Sequence, residues 1–274
     1  MPYRSIPVMA AMLSVTAAWP GFAQERPAGR PVAAVVDTLA GGLVGRGCVG
    51  VAVGVDHGGT QGFYAYGEVA RGTGRRPQPT TEFEIGSITK VFTTTLLALY
   101  AQRHVVKLDA PLQNYVPRGI TVPGFAGRQI TLVELATHTS GLLRQPPVRT
   151  DSYSSADMFA FLGSYRLPRA PGTQFEYSNL GVALLAHALA KATDTPWETL
   201  VERDITSKLG MPDTRLTLDG EQRARVATGY NRAAKSGIVV LANTVNCPVA
   251  GTGAQILATL NGQAPLIERP DERD

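Results

Sequence analysis

Residues 82–100, EFEIGSITKVFTTTLLALY, hold a helix-length run whose apolar side chains (Ile88, Val91, Phe92, Leu96, Leu97 and Leu99) fall on almost every side of a helical cylinder. A helix of that kind does not rest on one surface with its other face in water, so the pattern predicts a central, buried helix. The rest of the chain must then supply layers around it. A chain of 274 residues, 44% apolar and 18% charged, has the length and balance of an ordinary globular protein able to bury a sizeable core, as one large domain or as two lobes.

Those layers are legible on both sides of the run. CVGVAVGVDHGG (48–59) and TQGFYAYGEVA (60–70) read as the two strands of a hairpin, and RGTGRRPQPTT (71–81) as a loop. LDAPLQNYVPRGITVPGF (108–125) is irregular and punctuated by proline. TLVELATHTSGL (131–142) predicts a short helix, with Thr131 and Glu134 at capping-box spacing and Gly141 as its stop. SADMFAFLGSY (155–165), LGVALLAHALAKAT (180–193) and PWETLVERDITSKLGM (196–211) predict three more, with Pro196 suited to a first helical turn. GIVVLAN (237–243) reads as a buried strand and AQILATLNG (254–262) as a last helix. Strands at the two ends around a helical middle describe an α/β (α+β) chain with a sheet region and a helical region. The cleft between the regions is the natural place for a site.

The first residues carry a separate message. Arg4, the apolar stretch from Ile6 to Ala18 and the small residues Gly21 and Ala23 have the three-part layout of a secretory signal peptide. Cleavage is expected after Ala23, removing residues 1–23 and leaving a periplasmic or secreted protein with no stable membrane insertion. The net charge of +4 is spread along the chain, densest at RRP (75–77), with no basic stripe interleaved with aromatics; nucleic acid is not an expected partner. The four histidines, His57, His104, His138 and His187, show no ligand-like spacing, so no metal site is expected. The two cysteines, Cys48 and Cys247, form a disulfide in an oxidising compartment or remain as two buried thiols.

Within the opening run, Ser87 and Lys90 stand three apart, on one face of a helix. A desolvated lysine has a lowered pKa and serves as the base that an unactivated serine lacks. A helix start also favours negative charge developing on the serine oxygen. The bland alternative is that Ser87 caps the helix and Lys90 reaches out to water. A second group, Tyr177-Ser178-Asn179, lies where the loop after Pro171-Gly172 enters a helix. A phenol near a lysine relays protons, and an asparagine amide holds a substrate amide through both donor and acceptor. Here too a bland alternative stands, with Asn179 as the N-cap of the next helix.

FEIGSITKVFTTTLLALY, ITLVELATHTSGL, PGTQFEYSNLGVALLAHAL and LGMPDTRL, in this order between about Gly50 and Tyr230, resemble the class C β-lactamase and penicillin-binding-protein family of serine hydrolases. That family also contains D-alanyl-D-alanine peptidases and some esterases. The resemblance implies a serine-β-lactamase-like fold, an antiparallel sheet packed by terminal helices beside a helical region. It implies one catalytic domain over 24–274, with the sheet region from 24–80 and 233–274 and the helical region over 81–232. Ser87 would be the acylated nucleophile, Lys90 and Tyr177 the proton-transfer pair, and Asn179 the binder of the substrate amide. No cofactor is implied. The expected partner is a small β-lactam or a cell-wall peptide, and the expected state a monomer.

The resemblance also marks a departure. The family carries a third element, a strand with Lys-Thr-Gly or His-x-Gly whose backbone N–H completes the oxyanion hole. In this sequence family-like text runs to RVATGYNR (225–232) and passes directly to AAKSGIVVLANT, which resembles a later strand. Lys235-Ser236-Gly237 is a candidate replacement, with Lys235 as a carboxylate binder, while GTG (251–253) lacks the cation and reads as a turn. The sheet is expected to be shortened, with an interior strand turned into an edge. The family fold would set the strand at 237–243 antiparallel beside that at 48–55 and so implies a Cys48–Cys247 disulfide. The resulting expectation is a β-lactam hydrolase, with peptide or ester cleavage as the enzymatic alternative. A shortened relative that binds cell-wall peptide without turnover is the non-enzymatic one.

Overall fold

The computed structural model describes residues 31–57, 59–146 and 154–230. The expected signal peptide, Lys235-Ser236-Gly237, the strand at 237–243, Cys247, GTG at 251–253 and the last helix lie outside the described residues.

The sheet region begins with an element that the sequence reading did not anticipate. Helix α1 (Val32–Ala40) continues through a 3-10 turn over Gly41–Arg46. It buries Val36 and Ala40 against Leu43, Cys48 and Val51, and packs on Val53, Val55, Tyr64 and Tyr66 of the hairpin. Tyr66 Oη donates to Asp37 at 2.6 Å and fastens the helix to the strand. The hairpin itself is as expected: β1 (Gly50–His57) pairs antiparallel with β2 (Thr60–Gly67), Gly50 opposite Gly67 and His57 opposite Thr60. Gly67 ends it at φ 69°, where a Cβ would stand 2.1 Å from the Val49 carbonyl oxygen, so no other residue fits.

In the helical region the buried centre is α5 (Asn179–Thr193), whose Leu180, Val182, Leu184, Leu185, Ala188 and Leu189 are all buried. Each fully buried leucine of this helix contributes about 1.5–3 kcal/mol relative to exposure. Helix α2 (Thr89–Gln102) departs from the expectation of burial all round. It buries one stripe, Thr93, Leu96, Leu97 and Tyr100, while Val91 is 60% and Ile88 39% exposed. The stripe follows the i, i+3, i+4, i+7 rule, and the opposite apolar positions face outward beside the opening that carries Ser87.

Helix α3 (Leu132–Ala136) has the expected capping box, Thr131 with Glu134. Its stop is not Gly141. The helix ends at Thr137, His138 takes the left-handed conformation at φ 58°, and the Thr139 N–H donates to the Glu134 carbonyl at 2.9 Å. That is a Schellman closure with histidine where glycine is usual, and Gly141, at φ 76°, turns the loop beyond it.

The remaining elements follow the pattern with local changes. The proline-rich stretch contains one 3-10 turn, Leu112–Tyr115, and leads to the two-residue strands β3 (Gly124–Phe125) and β4 (Arg128–Gln129). Helix α4 (Ser155–Ser164) is capped by Ser154 with Asp157. The helix expected over 196–211 is split: α6 (Trp197–Val201) runs on as a π-helical turn, Glu202–Thr206, and Pro196 is its N-cap rather than its first turn. Helix α7 (Gly220–Arg225) then leads back to the sheet side, where Val226 forms a parallel bridge with Glu82, just ahead of the serine turn. Among the described residues no helix is long and apolar enough to cross a membrane, and no three His, Cys, Asp or Glu side chains gather as metal ligands do.

Candidate active site

Ser87 sits in a 3-10 turn, Gly86–Ile88, entered through Gly86 at φ 50°, and the turn runs straight into α2. The cap position of α2 is Ile88 and no side chain caps it, so Ser87 is not spent as a helix cap. Its exposed hydroxyl instead accepts from Lys90 Nζ at 3.1 Å and from Tyr177 Oη at 2.8 Å. The i, i+3 spacing legible in the sequence thus brings lysine and serine together, and the tyrosine arrives from ninety residues further along the chain.

Tyr177 is held by two loops laced to each other. The Gly172 N–H donates to the Thr139 carbonyl at 2.8 Å, the Glu176 N–H to His138 O at 2.7 Å and the Asn179 N–H to Arg144 O at 2.9 Å. Ser178 Oγ donates to Leu143 O at 2.7 Å and accepts from the Gly181 N–H at 2.8 Å, which makes Ser178 the N-cap of α5. Asn179 is therefore the first helical residue and not the cap. Its side-chain amide has no hydrogen-bond partner among the described residues. It borders a cavity of about 220 Å³ together with Lys90, Thr93, Val182 and Trp197. A second hollow, about 540 Å³, opens on the other side of the serine turn beside Glu84, Ile85, Thr214 and Leu216.

The electrostatics ease the loss of the phenol proton. Burial pushes the Tyr177 hydroxyl up, but the polar contacts of Lys90 and Ser87 and the charges of Lys90 and Arg144 outweigh it, and its pKa lies below that of an ordinary phenol. Lys90 Nζ is 4.8 Å and the Arg144 guanidinium 5.4 Å from the ring centre, both over the ring.

Two residues at the site were missed in the sequence. Arg144 is one. The other is His138, whose ring lies 4.5 Å from that of Tyr177 at 35° and whose Nδ1 accepts from the Ser178 N–H at 3.1 Å. A search for metal-ligand spacing passes over such a histidine. The available signal was its place just past a capping-boxed helix. Of the residues expected at the site, Ser87, Lys90, Tyr177 and Asn179 converge; Lys235 lies outside the described residues.

A serine at the head of a helix accepting from both a lysine and a tyrosine, in a chain of mixed helix and strand, is that of a serine-β-lactamase-like protein. Residues 24–267 match the family described as Beta-lactamase, and the chain belongs to that family. It is 39% identical over 188 residues to the D-alanyl-D-alanine-carboxypeptidase/endopeptidase AmpH of Escherichia coli (strain K12), covering 66% of this chain and 49% of that one. It is 32% identical over 187 residues to a β-lactamase of Pseudomonas fluorescens, covering 68% and 51%. Among solved structures, the β-lactamase/D-alanine carboxypeptidase of Yersinia pestis complexed with citrate superposes with a TM-score of 0.69 at 32% identity, over 77% of this chain and 62% of that one. A class C β-lactamase from Rhodobacter sphaeroides gives 0.62 at 31%, over 76% and 57%. The chain spans about half the length of these two curated relatives.

Proposed function

We propose that this chain is an exported serine hydrolase that works through an acyl-serine intermediate, with β-lactam hydrolysis as its activity. The observation that carries the reading is the pair of hydrogen bonds onto Ser87 Oγ, from Tyr177 and from Lys90. Once its phenol has lost its proton, Tyr177 accepts the Ser87 proton as Oγ forms a bond to the lactam carbonyl carbon. The Lys90 ammonium stabilises the phenolate. As the C–N bond breaks, the proton passes from Tyr177 to the leaving nitrogen, and water later attacks the ester, releasing the acid and restoring Ser87. Asn179 holds the substrate amide with an amide group that is unengaged among the described residues.

The carbonyl oxygen gains negative charge during the attack. The Ser87 backbone N–H, in the turn that opens α2, is one donor for it. For the second donor, Lys235-Ser236-Gly237, outside the described residues, is the candidate segment. Loss of one such donor lowers the rate by about two to three orders of magnitude. Residues 24–274 form one catalytic domain in this reading, a monomer released to the periplasm or the medium by cleavage after Ala23.

A second reading, cleavage of cell-wall peptide at D-alanine, is favoured by the 39% identity to a carboxypeptidase/endopeptidase. The test of both is the intact mass of residues 24–274 after brief incubation with a penicillin, beside Ser87→Ala. A penicilloyl adduct confined to the wild type supports the shared acyl-serine chemistry, and its rate of release separates a lactamase from a peptidase. Absence of any adduct in folded protein rejects the enzyme and leaves the peptide-binding relative.

A further inference from the structure

We infer that His138, as a neutral imidazole carrying its proton on Nε2, is a positioning residue that aims the Tyr177 phenol at Ser87. The inference rests on the acyl-serine reading for its functional meaning, though not for its geometry.

Three observations converge on this one side chain. Its Nδ1 accepts from the Ser178 N–H at 3.1 Å, which fixes the peptide immediately following Tyr177. Its ring lies along the Tyr177 ring, 4.5 Å between centres, and meets the Phe175 ring in a T-shaped contact at 5.7 Å. Its own carbonyl accepts from the Glu176 N–H at 2.7 Å. Residues 175–178 are therefore registered on His138 by backbone and side chain together. The backbone of His138 is held at φ 58°, in the left-handed region that is strained for a non-glycine residue. The Schellman closure of α3 sustains that conformation through the Thr139–Glu134 bond. Strain at a position where glycine serves equally well for the turn points to a use for the side chain.

The hydrogen bond sets the charge state. A nitrogen that accepts from a peptide N–H is unprotonated, so Nδ1 carries no hydrogen here. The cations around the ring favour the same state, while an ionised Tyr177 phenol opposes it. Lys90 approaches from α2, Arg144 lies across the Tyr177 ring from the loop at 141–146, and Tyr177 itself faces the imidazole. The nearby carboxylates are engaged elsewhere, Glu134 with Thr131 and Arg128 and Glu176 with Arg169. Burial and the Lys90 charge hold His138 below the usual histidine range. Protonation would expel the Ser178 N–H from Nδ1 and set a cation against the Tyr177 ring beside two others. The phenol would then lose its aim.

The discriminating variants are His138→Asn and His138→Phe. Asparagine tolerates the left-handed backbone and offers a carbonyl acceptor that does not titrate; phenylalanine keeps a ring and removes the acceptor. Two readouts are taken on each protein. The first is the titration of the Tyr177 phenol, followed by NMR of ζ-carbon-labelled tyrosine with Tyr177→Phe as the assignment control. The second is the rate of Ser87 acylation by a chromogenic β-lactam against pH. The phenol titrates low in the wild type and in His138→Asn, and rises toward the ordinary value of about 10 in His138→Phe. Acylation falls roughly 100-fold in His138→Phe, as for a misplaced catalytic group. In the wild type it falls more steeply as His138 protonates, and His138→Asn abolishes that steepening.

A phenol that titrates alike in all three proteins overturns the proposal, as does an asparagine variant as impaired as the phenylalanine one. If His138→Phe does not fold, the wild type still decides. The Tyr177 signal must shift as the His138 imidazole protonates, and a His138 titration that leaves it unmoved overturns the proposal. A wild type that is not acylated at all rejects the acyl-serine reading, while the phenol titration continues to test the positioning.

Discussion

Lys90 and Tyr177 share one acceptor, Ser87 Oγ, while the lysine ammonium lies 4.8 Å from the centre of the tyrosine ring. The lysine therefore acts on the serine directly and on the tyrosine through its charge. With Tyr177 as the proton acceptor, acylation of Ser87 rises with pH until the phenol is ionised, and the inflection lies below the ordinary phenol value of about 10. Lys90→Met removes the stabilising charge and moves the inflection upward. Tyr177→Phe removes it and costs about 10²–10⁴ in rate. A pH–rate profile of chromogenic β-lactam turnover checks both, and an inflection that stays in place in Lys90→Met rules out the coupling.

Asn179 offers the opposite kind of prediction, a change in activity without a change in stability. Its amide has no hydrogen-bond partner among the described residues, and Ser178 performs the cap. Asn179→Ala should leave the melting temperature unaltered. It should reduce kcat/KM by roughly tenfold to a hundredfold, the worth of about 1–3 kcal/mol of hydrogen bonding to substrate. Calorimetry beside steady-state kinetics reads the two separately. A drop in melting temperature of several degrees would reassign the residue to structure.

Behind the site, Tyr100 of α2 donates to Asp204 Oδ2 at 2.6 Å, and Arg103 and Arg203 donate to the same carboxylate at 2.9 and 2.8 Å. Burial pushes the Asp204 carboxyl up, but these three donors prevail and bring it down to about 2. A carboxylate depressed in the folded state contributes stability that is present above its unfolded value, near 4. That stability is lost as pH falls from there toward 2. Both arginines are about half exposed, so water screens part of the attraction and about 1–2 kcal/mol remains. In Asp204→Asn this part of the acid-induced loss disappears, at the cost of a similar amount of stability at pH 7. Urea unfolding at pH 7, 4 and 3 measures it.

The fold and the site were not equally legible in the sequence. The hairpin, α4, α5, the capping box of α3 and the convergence of Ser87, Lys90 and Tyr177 follow from local pattern and from family resemblance, and the structure bears them out. What escaped depends on tertiary context. Helix α1 is the exception: its nine residues carry a clear apolar face, Val35, Val36 and Ala40, which a reading centred on the longer runs passes over. The one-sided burial of α2 is decided by where α5 lies, which the composition of α2 does not encode. Helix α3 ends at Thr137 through a turn on His138, closed by the Thr139–Glu134 bond, whereas a reading of α3 alone sees only the glycine further on. Local sequence describes elements; the faces they use are set by their partners.

Cys48 gives the last test. It enters β1 buried, at 3% exposure, among Val36, Ala40, Leu43 and Val51 on the face that α1 covers. A disulfide to Cys247 would tie the first strand to the far end of the chain. Closing a loop of roughly 200 residues is worth about 5 kcal/mol in the chain-entropy picture, and less where the closure strains the native state. Peptide mapping of exported protein without reduction should recover the two cysteine peptides joined. Cys247→Ser should lower the melting temperature and increase aggregation on heating. Two alkylatable thiols in folded, exported protein would eliminate the bond.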